Sequence, residues 1–78
     1  MQELLVFIAR SLVDDPDAVS VTETRSNDDR SMLLELRVAK DDMGKVIGRQ
    51  GKIARSIRAI MKAAAVKENV HVSVDIIQ

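Results

Sequence analysis

The chain has 78 residues and no cysteine, and its 12 basic and 12 acidic residues give a formal net charge of zero. This length predicts one domain spanning residues 1–78, and a composition with 46% hydrophobic residues predicts a globular fold. Without cysteine a disulfide scaffold, a thiol nucleophile and a cysteine zinc site are excluded, and the short apolar run LLVFIA fits neither a membrane span nor a signal peptide, so we predict a cytoplasmic protein.

The first part of the chain predicts a helix followed by a β-hairpin. Apolar residues recur at helical spacing over residues 2–13, and the sequence DDP ends the run because proline cannot continue the helical hydrogen bonds. Apolar and polar residues then alternate near residues 19–22 and over residues 32–38, as in half-buried strands. The polar segment SNDDRS between them predicts an antiparallel turn with a flexible tip.

The second part predicts two helices and a last strand. Asp41 or Asp42 can cap a short helix that stops at Gly48. A long helix is expected to run from residue 52 to about 66, and the final strand over residues 70–76. The residues expected to align on the buried face of the long helix are Ile53, Ile57, Ile60 and Ala64.

The order of these elements is helix, strand, strand, helix, helix, strand. Each strand offers one apolar face and each helix one apolar stripe, so one layer of three helices over a three-stranded sheet buries all six. The return from the second strand to the third passes through two helices, which is long enough for parallel pairing. The sequence therefore predicts an α+β fold with a mixed sheet covered on one face.

Charge is distributed very unevenly along the chain. Residues 43–67 hold seven basic and no acidic residues, whereas the remainder holds five basic and twelve acidic ones. A chain of this kind can present a cationic face to a phosphate backbone, while its acidic remainder discourages non-specific binding. A solvated helix face is the alternative interpretation.

The sequence VIGRQGK, residues 46–52, lies in this basic segment between the two predicted helices. Glycine at both ends lets the backbone bend sharply and lets another molecule approach the main chain closely. The unpaired N–H groups at the start of the next helix, its positive dipole end and the neighbouring cations favour a phosphate there. The alternative is a tight turn in which glycine only caps a helix.

This loop and its surroundings resemble the K-homology (KH) RNA-binding domain, whose signature I-G-x-x-G joins two helices. The element order resembles the type II, bacterial arrangement over nearly the whole chain. The longer stretch VIGRQGKIARSIRAIMKAAA further resembles the small bacterial single-KH proteins of the KhpA group.

The resemblance implies that the loop clamps about four nucleotides of a single strand against a groove that reads the bases. Met43, Val46 or Ile47, Ala54 and a residue of the second strand would form the aliphatic floor of that groove, although a place in the core explains them at least as well. The residues implied to bind RNA are Lys45, Ile47, Gly48, Arg49, Gln50, Gly51, Lys52 and Arg55.

Other kinds of site find no support in the sequence. Phe7 is the only aromatic residue, so folds that hold bases by aromatic stacking are disfavoured. A Walker A motif needs four residues between its first glycine and Gly-Lys, with Ser or Thr next, and Lys52 is followed by Ile53. A lone histidine, His71, leaves no transition-metal site. We therefore expect no enzymatic activity, no cofactor and no metal.

Two functional hypotheses remain. In the first, the protein binds single-stranded RNA and acts as an RNA chaperone or post-transcriptional regulator. In the second, it is a protein–protein adaptor that uses an exposed helix face or the Leu33 side of the sheet. The KH resemblance implies both together, since such proteins are expected to form a homodimer or to pair with a larger KH-containing RNA-binding protein. The candidate dimer patch consists of Ala59, Met61, Ala63 and Ala65.

Overall fold

All six predicted elements form in the predicted order in the structure, a computed structural model that describes residues 1–77. Short 3₁₀ turns precede β1, α2 and α3. The elements are α1 (Gln2–Leu12), β1 (Ser20–Arg25), β2 (Ser31–Arg37), α2 (Met43–Ile47), α3 (Lys52–Lys67) and β3 (His71–Ile77).

The three strands form one mixed sheet in the order β1-β2-β3, as the sequence predicts. β1 pairs with β2 antiparallel, with Val21 opposite Leu36, and β2 pairs with β3 parallel, with Leu34 beside Val74. The β1–β2 turn is held by hydrogen bonds, among them one from the Ser26 hydroxyl to Asp28 at 2.6 Å. β2 is therefore the central strand, and the outer side of β3 is a free edge.

The core lies between the helices and one face of the sheet, in agreement with the predicted α+β architecture of a type II KH fold. Alternate residues of the strands point into it because successive side chains of a strand face opposite sides. α1 and α3 pack on β1 and β3 respectively, and α2 packs on α3. The largest side chains with almost no exposed surface are Leu5, Leu34, Leu36, Met61 and Val46.

The buried face of α3 differs from the prediction by one position. Ile57 is buried as expected, but Ile60 is 47% exposed, and the face is completed by Ala54, Met61 and Ala65. The helix turns its Met61 side to the sheet, which leaves Ile60 on the flank next to α1. Met61 and Ala65 are both at most 2% exposed, so these two members of the predicted dimer patch cannot contact a second protein, and the predicted patch is wrong.

None of the helices within residues 1–77 has the length and hydrophobicity of a membrane-spanning segment.

Candidate nucleic-acid interface

The turn between α2 and α3 reverses the chain within four residues. The Gly48 N–H closes α2 by donating to the Gly44 carbonyl at 2.9 Å, and the Gly51 N–H donates back to the Gly48 carbonyl at 3.2 Å. Gly48, Gln50 and Gly51 all have positive φ angles, of 74°, 57° and 75°. The sequence GRQG is thus a compact loop, and α3 begins directly behind it at Lys52.

The two glycines of the loop are required for different reasons. A Cβ atom on Gly48 would lie 2.6 Å from Cγ1 of Ile53, so the loop is folded tightly onto the first turn of α3. A Cβ atom on Gly51 would meet nothing nearer than Nη1 of Arg55 at 3.9 Å. One side of the loop is therefore sealed by Ile53, while the main chain at Gly51 is open to an approaching group.

The polar residues around the open side are exposed. Arg49, Gln50, Lys52 and Arg55 all point into solvent, and within residues 1–77 none of the three cations among them forms a salt bridge. The N-cap of α3 is Gly51, which has no side chain to bond the first N–H groups of the helix. The Lys52 N–H already donates to the Arg49 carbonyl, so the features that suit this end of α3 to a phosphate are its positive dipole and the unpaired cations.

Lys45 differs from these cations because its charge is compensated inside the protein. Its Nζ lies 3.0 Å from Oδ2 of Asp14 and 3.3 Å from Oδ1 of Asp42. The hydrogen bonds with Asp14 and then Asp42 raise the pKa of Lys45 above its ordinary value. Lys45 stays 42% exposed, so it can reach a ligand only in competition with two carboxylates.

Asp42 is the buried carboxylate behind this pair, and the capping role predicted for Asp41 or Asp42 is wrong. Its side chain makes no cap hydrogen bond to α2 and instead accepts the backbone N–H groups of Asp14 at 3.2 Å and Asp15 at 3.1 Å. Burial opposes the charge most strongly, but these two N–H groups and Lys45 together lower the pKa of Asp42. Asp42 therefore ties the chain after α1 to the start of α2.

The aliphatic residues predicted to floor the groove divide into two groups. Met43 and Ile47 are half-buried, and Ile47 packs against the edge of the core. Val46 and Ala54 are at most 5% exposed, so for these two residues the alternative of a place in the core is the correct one. Val46 belongs to the hydrophobic core cluster, and Ala54 lies on the buried face of α3.

Several basic residues of α3 lie on the flank opposite its exposed apolar residues, whereas Lys52 adjoins the apolar side. On the flank next to α1, Ile53 and Ile60 line a shallow apolar concavity of about 270 Å³ with Ile8 and Leu12. On the other flank, Arg58 reaches β3 and its Nε donates to the Val74 carbonyl at 3.0 Å. The sequence does not predict this contact, because only the packing of α3 against β3 brings Arg58 to the sheet edge.

A known protein family shares this sequence pattern. The model of the KhpA/KhpB KH domain matches residues 2–76. The chain belongs to this family. KH domains are non-enzymatic modules, so membership confirms the prediction that the chain is not an enzyme.

The chain is similar over its length to proteins from several bacteria that bear the name RNA-binding protein KhpA. The protein of Clostridium acetobutylicum is 58% identical and that of Clostridium perfringens 54%, each over 99% of this chain and 100% of the relative. The protein of Chlamydia trachomatis is 37% identical over 100% of this chain and 97% of the relative.

Two solved structures of Era share the fold at low sequence identity. Aquifex aeolicus Era superposes with a TM-score of 0.64 at 14% identity, and Era in complex with part of 16S ribosomal RNA with a TM-score of 0.57 at 15% identity. Each comparison covers 96% of this chain and only 28% of the Era chain. At this level of identity the likeness concerns the fold alone.

Proposed function

We propose that the protein binds short single-stranded stretches of RNA through the GRQG loop and acts as an RNA chaperone or post-transcriptional regulator. The observation that carries the proposal is the open loop at the start of α3, in a chain whose relatives are named RNA-binding proteins. In a KH domain such a loop clamps the backbone of about four nucleotides. A cytoplasmic location belongs to the same proposal, since transcripts are made and translated there.

In this proposal each part of the loop has a separate task. Gly51 leaves room for the sugar-phosphate backbone, and a phosphate lies at the positive end of α3. Arg49 and Gln50 contact phosphate or sugar from the tip, and Lys52 and Arg55 add attraction along the first turn of α3. Gly48 acts indirectly, by folding the loop onto α3. Ile47, beside Gly48, offers a half-buried apolar surface to the first base.

The salt dependence of binding follows from the number of free cations. Arg49, Lys52 and Arg55 are unpaired within residues 1–77, whereas Lys45 is compensated by Asp14 and Asp42. For a single strand, log affinity against log salt concentration falls with a slope of roughly −0.7 per neutralised phosphate. Three phosphate contacts give a slope of about −2, and the recruitment of Lys45 would bring it to about −3.

The deciding experiment replaces both residues at the loop tip, Arg49→Asp together with Gln50→Asp. Fluorescence anisotropy with a labelled single-stranded RNA should show binding lost, while circular dichroism stays unchanged because both side chains are exposed. The matched control is Arg30→Asp with Asn27→Asp, which introduces the same charge change in the exposed β1–β2 turn. This turn adjoins the start of β3 at the far end of α3, about 24 Å from the loop. Equal binding by the folded loop variant and the wild type would refute the clamp.

A second candidate function, protein–protein adaptor, is favoured by the apolar surface along α1 and α3. Ile60 is 47% exposed and lines the concavity with Leu12 and Ile53, and Phe7 on α1 is 69% exposed. We propose this surface as the contact for a homodimer or for a larger KH-containing RNA-binding protein. It replaces the patch that the burial of Met61 and Ala65 rules out.

Analytical ultracentrifugation with and without a short single-stranded RNA separates the two functions. A dimer that forms with increasing concentration regardless of RNA, and that Ile60→Asp dissociates, supports the adaptor. The RNA-binding proposal instead requires a complex that the loop variant loses and Ile60→Asp retains. A protein that stays monomeric at all concentrations would rule out the homodimer.

A further inference from the structure

Arg58 links α3 to the free edge of the sheet. β3 has β2 on one side and no strand on the other, so half of its main-chain groups face outward. The side chain of Arg58 extends from α3 to this edge, and its Nε donates to the carbonyl of Val74 at 3.0 Å. A side chain that is otherwise exposed is thereby fixed at a definite place beside the edge.

The hydrogen bond of the first residue of β3 shows which main-chain N–H and C=O groups of this strand face away from β2. The N–H of His71 donates to the carbonyl of Arg30, just before β2, at 2.7 Å. In a parallel strand, alternate residues direct their N–H and C=O groups to the same side, so those of Val72, Val74 and Ile76 face away from β2. The Val74 carbonyl that Arg58 binds is therefore an edge group without a partner in the sheet.

Arg58 also lies on the course that a strand held at the loop would take. Arg55 and Arg58 are one turn apart on the same flank of α3, and Lys62 follows at the next turn. Arg58 is about 10 Å along the helix axis from Gly51, within the span of the four nucleotides that a KH loop holds. This flank carries three cations, and the opposite flank beside α1 is mainly apolar, with Lys52 at its edge.

We infer that Arg58 is a specificity-determining residue that gives the protein a preference for guanine in bound RNA, an inference that rests on the proposed function. With Nε engaged by Val74, the two terminal amino groups of Arg58 remain as a fork of paired donors, and within residues 1–77 they form no salt bridge. Guanine presents two neighbouring acceptors, O6 and N7, that match this fork. Adenine presents a donor beside N7 and so leaves one amino group unpaired.

The test measures a ratio of affinities rather than one affinity. Anisotropy is recorded with two uridine octamers that carry guanine or adenine at the same two positions. The wild type should bind the guanine RNA about 10-fold more tightly. Arg58→Lys keeps the charge but loses the paired donors, so the ratio should fall to near one while the adenine RNA remains bound. The control Arg30→Lys makes the same chemical change in the exposed β1–β2 turn, outside the binding site, and should leave the ratio unchanged.

A third octamer with 7-deazaguanine at the same positions tests the atoms involved. It should bind as weakly as the adenine RNA, because N7 is removed. The inference is overturned if the wild type shows no preference for guanine over adenine, if the Arg58→Lys variant keeps the full ratio, or if 7-deazaguanine is bound as tightly as guanine. Binding of the adenine RNA in those cases preserves the loop proposal, whereas no binding of any octamer overturns both.

Discussion

Replacing Gly48 by alanine should destabilise the protein far more than the same change at Gly51. Gly48 has φ 74° and ψ 174°, a region that is essentially restricted to glycine and costs other residues about 1–3 kcal/mol. The new Cβ would also lie 2.6 Å from Cγ1 and 2.9 Å from Cβ of Ile53, and displacing Ile53 costs about 1–3 kcal/mol more. The expected loss in the free energy of unfolding is about 2–6 kcal/mol.

At Gly51 only the backbone term applies. Its φ of 75° and ψ of 16° are left-handed, which costs an alanine about 1–2 kcal/mol, and the nearest atom to a new Cβ is 3.9 Å away. For a domain of this size, 1 kcal/mol corresponds to a shift of about 4–8 °C in the melting temperature. The two variants should therefore be separated clearly in a thermal scan.

The assay is urea unfolding followed by far-ultraviolet circular dichroism, since the chain has no tryptophan or tyrosine for fluorescence. The cost of Gly48→Ala should be smaller in an Ile53→Ala background than in the wild type, with a coupling of about 0.5–3 kcal/mol, because Cγ1 and Cδ1 of Ile53 are removed and only its Cβ remains close. Equal destabilisation at Gly48 and Gly51, or no coupling between Gly48 and Ile53, would show that the loop is not folded onto α3 as described.

Three further predictions concern the neighbourhood of the loop. Gly44→Ala should raise the free energy of unfolding by about 0.5–1 kcal/mol, because Gly44 is helical and nothing lies within 4 Å of a new Cβ; a lower urea midpoint would contradict this. Asp14→Asn should strengthen RNA binding up to about five-fold in an anisotropy titration by releasing Lys45, and weaker binding would show that the pair orders the site. The lowered pKa of Asp42 means that its stabilisation is complete above its ordinary pKa of 3.8 and is lost as the pH falls through the lower folded value. Urea midpoints recorded against pH should therefore fall less steeply on acidification for Asp42→Asn than for the wild type, and parallel curves would refute this role of Asp42.

The sequence predicted the fold because each element has a periodicity that only one packing satisfies. The alternation in β2 and β3 and the apolar stripe of α1 determine which faces are buried, and two intervening helices allow the parallel pairing. The error on α3 has a physical cause. Ile53, Ile57 and Ile60 form one plausible stripe, and Ala54, Ile57 and Met61 form another that is shifted by one position. The two stripes share Ile57, and the contact with the sheet decides between them.

The side-chain contacts of the site depend on residues distant in sequence, and local pattern did not predict them. From the sequence, Lys45 is expected to be a free cation. In the structure it pairs with Asp14, which precedes it by 31 residues. Asp42 is predicted as a possible helix cap, but its carboxylate accepts hydrogen bonds from the backbone N–H groups of Asp14 and Asp15. The sequence pattern of α3 indicates no partner for Arg58, whereas in the structure it donates a hydrogen bond to β3. In each case, the partner is supplied by tertiary packing.

The most direct measurement of the central proposal is a titration of ¹⁵N-labelled protein with a short single-stranded RNA, followed by two-dimensional NMR. The amide signals of Gly48 to Lys52 should move most and saturate together, with smaller shifts along Arg55 and the edge of β3. Shifts confined to α1 or to the Leu33 face of the sheet, with the loop amides unmoved, would contradict the proposal that the GRQG loop holds the RNA.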